Sequence, residues 1–426
     1  MTMAKTEPSH EPFPAMLSLP CRLINRFGQR LAFRIGLGVE ELMAKAFEIT
    51  GLSDWGEMDF IEPFRVLNDS YVEDAQLSVT GRWMTRKAQL QRLINRLRIQ
   101  RDFTLHPDLA RVVLPPALFI TGLPRTGTTL LHRLLAQDPE IRTLRAWELM
   151  IPSPPPDRAT YDHDPRRRLI ERVRRKRQRF ILSSQGWRQI QAVHPANDDD
   201  PEECWLLLQN SFRTGAFFLF DRVNRYEAWL SKQGGEPGYQ YYRKQLQLLT
   251  WRYSGTHVAL KAPDHLSHLD DLVRVFPDAR ILMTHRDLTD AIPSVCHLFG
   301  VFRQIKNDRA DPKEIGTVTL DWILHLMKRG MAARSRVNPE RFFDIAFSKL
   351  VRDPVEVVRE VYRFIGKDLT REAESRMKAW LDQNHPYPQR GSWKPFLHRY
   401  GLSQERVGSY LTELSDYVER FSPYLK

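Results

Sequence analysis

The stretch Phe119–Leu135, FITGLPRTGTTLLHRLL, constrains this chain more than any other. An apolar run closes at Thr121, Gly122 and Gly127 enclose four residues, and from Thr128 apolar residues recur at helical spacing. A strand, a glycine turn and a helix in that order leave the amides of Gly127, Thr128 and Thr129 pointing out of a helix N-terminus, which makes an anion cradle. Glycine at both positions permits backbone geometry that a side chain would obstruct, and the threonine hydroxyls add donors. The frame is that of the nucleotide loop G-x-x-x-x-G-K-[ST], but Thr128 occupies the lysine position. In ATP-dependent loops that lysine neutralises the β- and γ-phosphates beside Mg²⁺, so its loss weakens a kinase or ATPase reading. Arg125 restores a cation inside the loop, as a permanently charged planar fork.

The surrounding pattern says what carries the loop. From Ala117, short apolar runs alternate with helical ones: ALFIT before TTLLHRLLA, HVALK before HLSHLDDLVRVF, ARILMT before AIPSVCHLF, and RFFDIAF before PVEVVREVYRFI. Such alternation predicts an α/β fold with a P-loop-type core, a parallel sheet flanked by helices. Residues 21–110 read as a helical segment, with VEELMAKAFEIT and RKAQLQRLINRLRI showing three- and four-residue spacing, and residues 1–20 as a flexible N-terminus. The main domain then spans 111–426. PSPPPDRATYDHDP, from Pro152, interrupts the alternation and opens a helical insertion over about 152–254.

Charge bears on the partner. With 64 Lys and Arg against 52 Asp and Glu, the formal charge of +12 favours an anionic partner. The densest basic run, RRRLIERVRRKRQRF from Arg166 to Phe180, reads as a solvated helix face or a lid over an anionic site. Cys21, Cys204 and Cys296 lack disulfide or metal-ligand spacing, which suits a reducing cytoplasm. No apolar run approaches the roughly 18 residues that span a bilayer, so a soluble protein is expected, with peripheral membrane contact compatible.

GLPRTGTTLL resembles the 5′-phosphosulfate loop of sulfotransferases that use 3′-phosphoadenosine 5′-phosphosulfate (PAPS), in the Arg-bearing version of tyrosylprotein sulfotransferases and many bacterial relatives. The resemblance implies sulfuryl transfer from PAPS to a hydroxyl or amine of a small or lipid-like acceptor, without a required metal. It assigns Gly122, Arg125, Thr126, Gly127, Thr128 and Thr129 to the donor's 5′ end. In RILMTHRDLTDAIPSVCHL, Arg286 at a strand end and Ser294 eight residues on match the pair that binds the 3′-phosphate, although Leu288 replaces the common proline of RDP. Arg390, beside Gly391 in HPYPQRGSW, loosely matches a C-terminal Arg-Gly loop over the same phosphate. Lys261 in LKAPDH matches the lysine that stabilises the transferring sulfuryl group.

The proton acceptor is less determined. Cytosolic sulfotransferases place a histidine two residues after that lysine, where this chain has Pro263; His265 is displaced by two. Tyrosylprotein sulfotransferases use a glutamate after the first helix, and Glu148 stands one residue from that spacing, making it the first choice. His194, in AVHPANDDDPEECWLLL, is expected near the acceptor, with Asp200, Glu202 and Glu203 capping the following helix. Two readings of other classes stay open: a P-loop kinase holding Mg²⁺ on Asp287, and a nucleic-acid binder using the Arg166–Arg179 run.

Overall fold

The computed structural model describes residues 15–195, 199–384 and 397–425. Four helices come first: α1 (Leu19–Phe27), α2 (Val39–Thr50), α3 (Ile61–Glu73) and the long α4 (Val79–Leu105). Leu42, Ala46, Phe64, Leu67, Leu93 and Leu97 are buried where α2, α3 and α4 meet. On α4 the guanidinium of Arg96 lies over the rings of Phe60 and Tyr241 and donates to the Asn210 carbonyl at 3.0 Å. These contacts join the helical segment to the chain that follows the first two strands.

The sheet is parallel and five-stranded, ordered β2-β3-β1-β4-β5, with β1 Ala117–Gly122, β2 Ile141–Thr143, β3 His257–Lys261, β4 Arg280–His285 and β5 Phe342–Ala346. Every residue of β1 is buried, and alternate side chains serve two cores, as a sheet covered on both faces requires. Leu118 and Ile120 pack with Leu130, Leu131, Leu134 and Leu135 of α5 (Thr128–Leu135), and with valines of the helix Pro354–Phe364. Phe119 packs on the other face with Tyr239, Tyr242, Leu246 and Leu249 of the helix Glu236–Thr250. Each such leucine contributes about 1.5–3 kcal/mol by leaving water.

Four of the five strands coincide with the apolar runs. The fifth, β2, is only Ile141–Thr143 and carries Arg142 in its middle, so no apolar run marks it. Between β2 and β3 the chain is helical, including α6 (Ala146–Met150), α7 (Pro165–Lys176) and α8 (Ser184–Val193).

The chain lays β2 and β3 on one side of β1, then β4 and β5 on the other. The order reverses beside β1, and the crevice beyond the carboxyl ends of β1 and β4 is where open α/β sheets bind ligands.

Candidate functional site

The loop after β1 is held in its shape by contacts across that crevice. Gly122 and Gly127 have φ of +142° and +95°, and a Cβ on Gly122 would meet the Thr284 carbonyl oxygen at 2.5 Å. Arg125 itself takes φ +72°, a left-handed conformation that costs a non-glycine residue about 1–3 kcal/mol and persists only where the surroundings impose it. Its Nη1 donates to the Val193 carbonyl at 2.8 Å and its Nε to Ser294 Oγ at 3.0 Å. Thr126 is buried, donating its hydroxyl to the Leu123 carbonyl at 2.6 Å and meeting Thr284 Oγ1 at 2.6 Å. Arg286, leaving the end of β4, donates Nη1 to the Arg125 carbonyl at 3.1 Å and lies over the Phe347 ring. Arg125, Arg286 and Ser294, far apart in the chain, thus form one cluster. The buried Arg286 Nε has no hydrogen-bond partner among the described residues.

Lys261 closes the other side of the loop. Its side chain is almost wholly buried; Nζ donates to Thr129 Oγ1 at 3.4 Å, at the head of α5, and pairs with Glu203. The backbone explains the pairing, because Cys204 N donates to the Lys261 carbonyl at 3.0 Å and lays residues 203–205 along the end of β3. Trp205 Nε1 holds the second Glu203 oxygen at 2.6 Å. Beside them, His194 Nε2 meets Glu202 Oε2 at 3.2 Å. Burial opposes charge on both groups, but the pair outweighs it: the His194 imidazole is held above its ordinary value by Glu202 and Glu203, and the Glu202 carboxyl well below its own by His194.

The other candidate bases lie elsewhere. Glu148 is fully buried in a closed nest: it pairs with Arg142 of β2, and its Oε2 accepts from the Tyr161 hydroxyl at 2.6 Å and from the Arg145 amide at 2.9 Å. It caps its own helix α6, and none of those partners comes from the loop or from β3. Glu148, the first choice of base by spacing, thus meets Arg142, Tyr161 and the Arg145 amide in this structure. His265 is equally enclosed, with Tyr239 Oη 3.0 Å from Nδ1 and Cys204 Sγ 3.2 Å from Nε2, and burial pushes its imidazole down to about 3. Asp287 accepts from the Thr289 amide at 2.7 Å and hydroxyl at 2.6 Å and caps the helix Leu288–Lys306. Arg390 lies outside the described residues.

Glu203 was expected as a helix cap. No local pattern marks its contact with a lysine 58 residues on; the only signal is the run DDDPEE itself, more acid than one helix start needs.

Residues 116–371, well over half of the chain, match the family model described as the sulfotransferase family. This chain is a sulfotransferase-family protein. Sulfotransferase STF9 from Mycobacterium avium superposes with a TM-score of 0.79 at 27% identity, covering 91% of this chain and 97% of that one. STF1 from Mycobacterium tuberculosis H37Rv superposes with a TM-score of 0.75 at 31% identity, covering 88% and 98%. Omega-hydroxy-beta-dihydromenaquinone-9 sulfotransferase Stf3 of Mycobacterium tuberculosis (strain CDC 1551 / Oshkosh) is 27% identical over 266 residues, which span 60% of this chain and 64% of Stf3. The P-loop-type core of this chain carries the glycine loop at the reversal of strand order.

Proposed function

We propose that the protein transfers a sulfuryl group from PAPS to the hydroxyl, or amine, of a small or lipid-like acceptor. The observation that carries the reading is the Arg125–Ser294 hydrogen bond. It ties a loop suited to a 5′ phosphosulfate to an Arg286–Ser294 pair suited to a 3′-phosphate, and PAPS bears both groups. The donor set fits an anion throughout: guanidinium, ammonium and hydroxyl groups, with Arg286 Nε as an unused buried donor among the described residues. The acceptor class is supported by Stf3, whose name gives a hydroxylated menaquinone derivative. No helix among the described residues is long and apolar enough to cross a membrane, and the three cysteines are free and buried, which is compatible with the cytoplasm.

In this reading Gly122, Thr126, Gly127, Thr128 and Thr129 form the cradle for the 5′ end, Arg125 grips its oxygens, and Arg286 and Ser294 hold the 3′-phosphate. When bound, PAPS supplies an electrophilic sulfur and a phosphate leaving group. The acceptor oxygen bonds to sulfur as the sulfur–phosphate oxygen bond breaks, and the acceptor proton passes to Glu203. We assign the base to Glu203 because it is the carboxylate that touches Lys261 and so stands where transfer occurs. A carboxylate is a weak base toward a hydroxyl, so proton transfer must accompany attack. Lys261 stabilises charge developing on the sulfuryl oxygens, an interaction stronger at the transition state than before it. His194, whose imidazole Glu202 shifts toward the protonated form, stands beside the same point.

The test is donor preference. Adenosine 3′,5′-bisphosphate, without Mg²⁺, should raise the melting temperature by linkage, and an acceptor screen with PAPS should follow. Strong stabilisation by Mg·ATP, with none by the bisphosphate, would overturn the reading in favour of a kinase.

A further inference from the structure

We propose that α1 and α7 together form a docking face for an anionic membrane surface. Helix α1, LPCRLINRF, buries only Cys21 and Asn25, and Asn25 ties it down through Thr80 at 2.8 Å and Asp308 at 2.9 Å. Its apolar residues otherwise face out: Phe27 is 75% exposed, and Leu19, Leu23 and Ile24 are about half exposed or more. Phe33, in the turn that follows, is 73% exposed. Arg22, Arg26, Arg30 and Arg34 are exposed among them, and residues 16–38 contain no Asp or Glu.

The basic run of α7 repeats this arrangement. Arg166, buried and paired with Asp164, and Arg167, half-buried and paired with Asp162 and Asp199, are the exceptions, and Arg174 is half-buried. Exposed Arg168, Arg172, Arg175 and Arg179 follow one another at three- and four-residue steps, and exposed Leu169, Val173 and Phe180 run alongside at steps of four and seven. Glu171 is the single acid between Arg166 and Leu182. The two elements abut: the Ser18 amide donates to the Ile181 carbonyl and its hydroxyl to the Phe180 carbonyl, both at 2.8 Å, and the Ser183 amide reaches the Met16 carbonyl at 2.9 Å. The result is one surface of interleaved arginines and large apolar side chains.

That composition selects the occupant. Exposed aliphatic side chains gain nothing from a nucleic-acid backbone, and ten exposed cations (Arg22, Arg26, Arg30, Arg34, Arg168, Arg172, Arg175, Lys176, Arg177 and Arg179) repel a second copy of themselves. A bilayer with anionic headgroups satisfies both, taking the apolar residues to the acyl boundary and the arginines to the phosphates. The face is also close to the site. The chain runs from Phe180 into α8, whose last carbonyl, at Val193, accepts from Arg125. Ten helical residues span about 15 Å. The inference deepens the lipid-like acceptor reading, but its test needs no sulfuryl transfer.

The full chain should be sedimented with vesicles of phosphatidylcholine alone and of equal parts phosphatidylcholine and phosphatidylglycerol. Binding is expected to the mixed vesicles only, and to weaken as salt rises. Combining Arg168→Glu, Arg172→Glu and Arg179→Glu should weaken it by roughly a hundredfold or more, and Phe27→Ser with Phe180→Ser by roughly tenfold or more. All five positions are exposed, so melting temperature and stabilisation by adenosine 3′,5′-bisphosphate should not change; loss of that stabilisation in the unmutated chain would sink the donor reading instead. Equal affinity of both variants and the parent for the mixed vesicles would overturn the proposal. So would a dimer in vesicle-free buffer that Phe27→Ser disperses, or retention of duplex DNA in place of vesicles.

Discussion

Two carboxylate–cation pairs lie at different ends of β3, one beside its start, where Arg142 of β2 is in register with Val258, and one at its carboxyl end, where Lys261 meets Glu203. Glu148 and Arg142 are both closed off from water, and Tyr161 and the amide of Arg145 complete the carboxylate's bonding. Glu203 and Lys261 also meet, but the carboxylate keeps 15% of its side chain exposed, and the lysine is shared with Thr129 at the head of α5. The choice of cation follows. A guanidinium matches a carboxylate with a rigid fork and stays charged, which suits a permanent joint, whereas an ammonium is a compact point charge that turns between partners. Both carboxylates have partners on each oxygen, and what distinguishes Glu203 is that one of its partners, Lys261, also reaches the head of α5.

The sharpest way to break this contrast is to neutralise each carboxylate in turn. Glu203→Gln should lower kcat by roughly 10²–10⁴ in single-turnover transfer to an acceptor found by screening, in a protein that still binds adenosine 3′,5′-bisphosphate. Glu148→Gln should leave the rate per folded molecule near that of the parent and lower stability instead. Removing one partner of a buried pair costs about 3–5 kcal/mol, read by denaturant unfolding. Collapse of transfer in folded Glu148→Gln, with Glu203→Gln still active, would invert the assignment.

The cations sharpen it next. Lys261→Ala should depress kcat by roughly a hundredfold while affinity for the bisphosphate barely moves, because its contact strengthens at the transition state. Arg286→Ala should do the reverse and weaken bisphosphate binding by about 10–150-fold, the worth of a charge-assisted hydrogen bond of about 1.5–3 kcal/mol. Titration calorimetry of the two variants separates them, and unchanged affinity in folded Arg286→Ala would remove the 3′-phosphate assignment.

The smallest expected effect lies with His194 and Glu202. The folded protein raises the His194 value above 6.5, so its contribution is complete below 6.5 and fades as pH climbs through the raised value. Glu202 is depressed below 4.5, so its contribution is complete above 4.5 and fades as pH falls through the lowered value. The stability gap between the parent and His194→Asn should therefore be widest between pH 4.5 and 6.5, at about 1 kcal/mol, and narrow on either side. Thermal melts across that range check it; a gap that grows above neutrality would show that the pair is not ionised as described.

What could be read from the residues alone divides along the same line. The glycine loop, its strand and its helix are local patterns, and Gly122, Gly127 and the apolar alternation announce them. The strand β2 escaped because three residues centred on an arginine carry no such pattern. Glu148 and Glu203 each sit near the start of a short helix, so cap-like positions could not separate them. The difference lies in what each meets from elsewhere in the chain: Arg142 on an edge strand in one case, and in the other Lys261, brought in by the Cys204–Lys261 backbone bond. The Arg125–Ser294 link, across 169 residues, is of the same kind.

The strand order also sets a timetable for synthesis. β1 is the middle of the sheet, yet its neighbours β3 and β4 leave the ribosome later, β4 beginning about 160 residues after β1 ends. At about 5–20 residues per second, the central strand waits about 8–30 s before its second edge can be covered. Until then ALFITG is an apolar segment with open hydrogen-bonding edges, the kind that pairs with other nascent chains. The helices ahead of it can form during that wait, since their contacts with one another are already complete. The glycine loop after β1 is thus among the last features of the core to become rigid, although its residues are made in the first third of the chain.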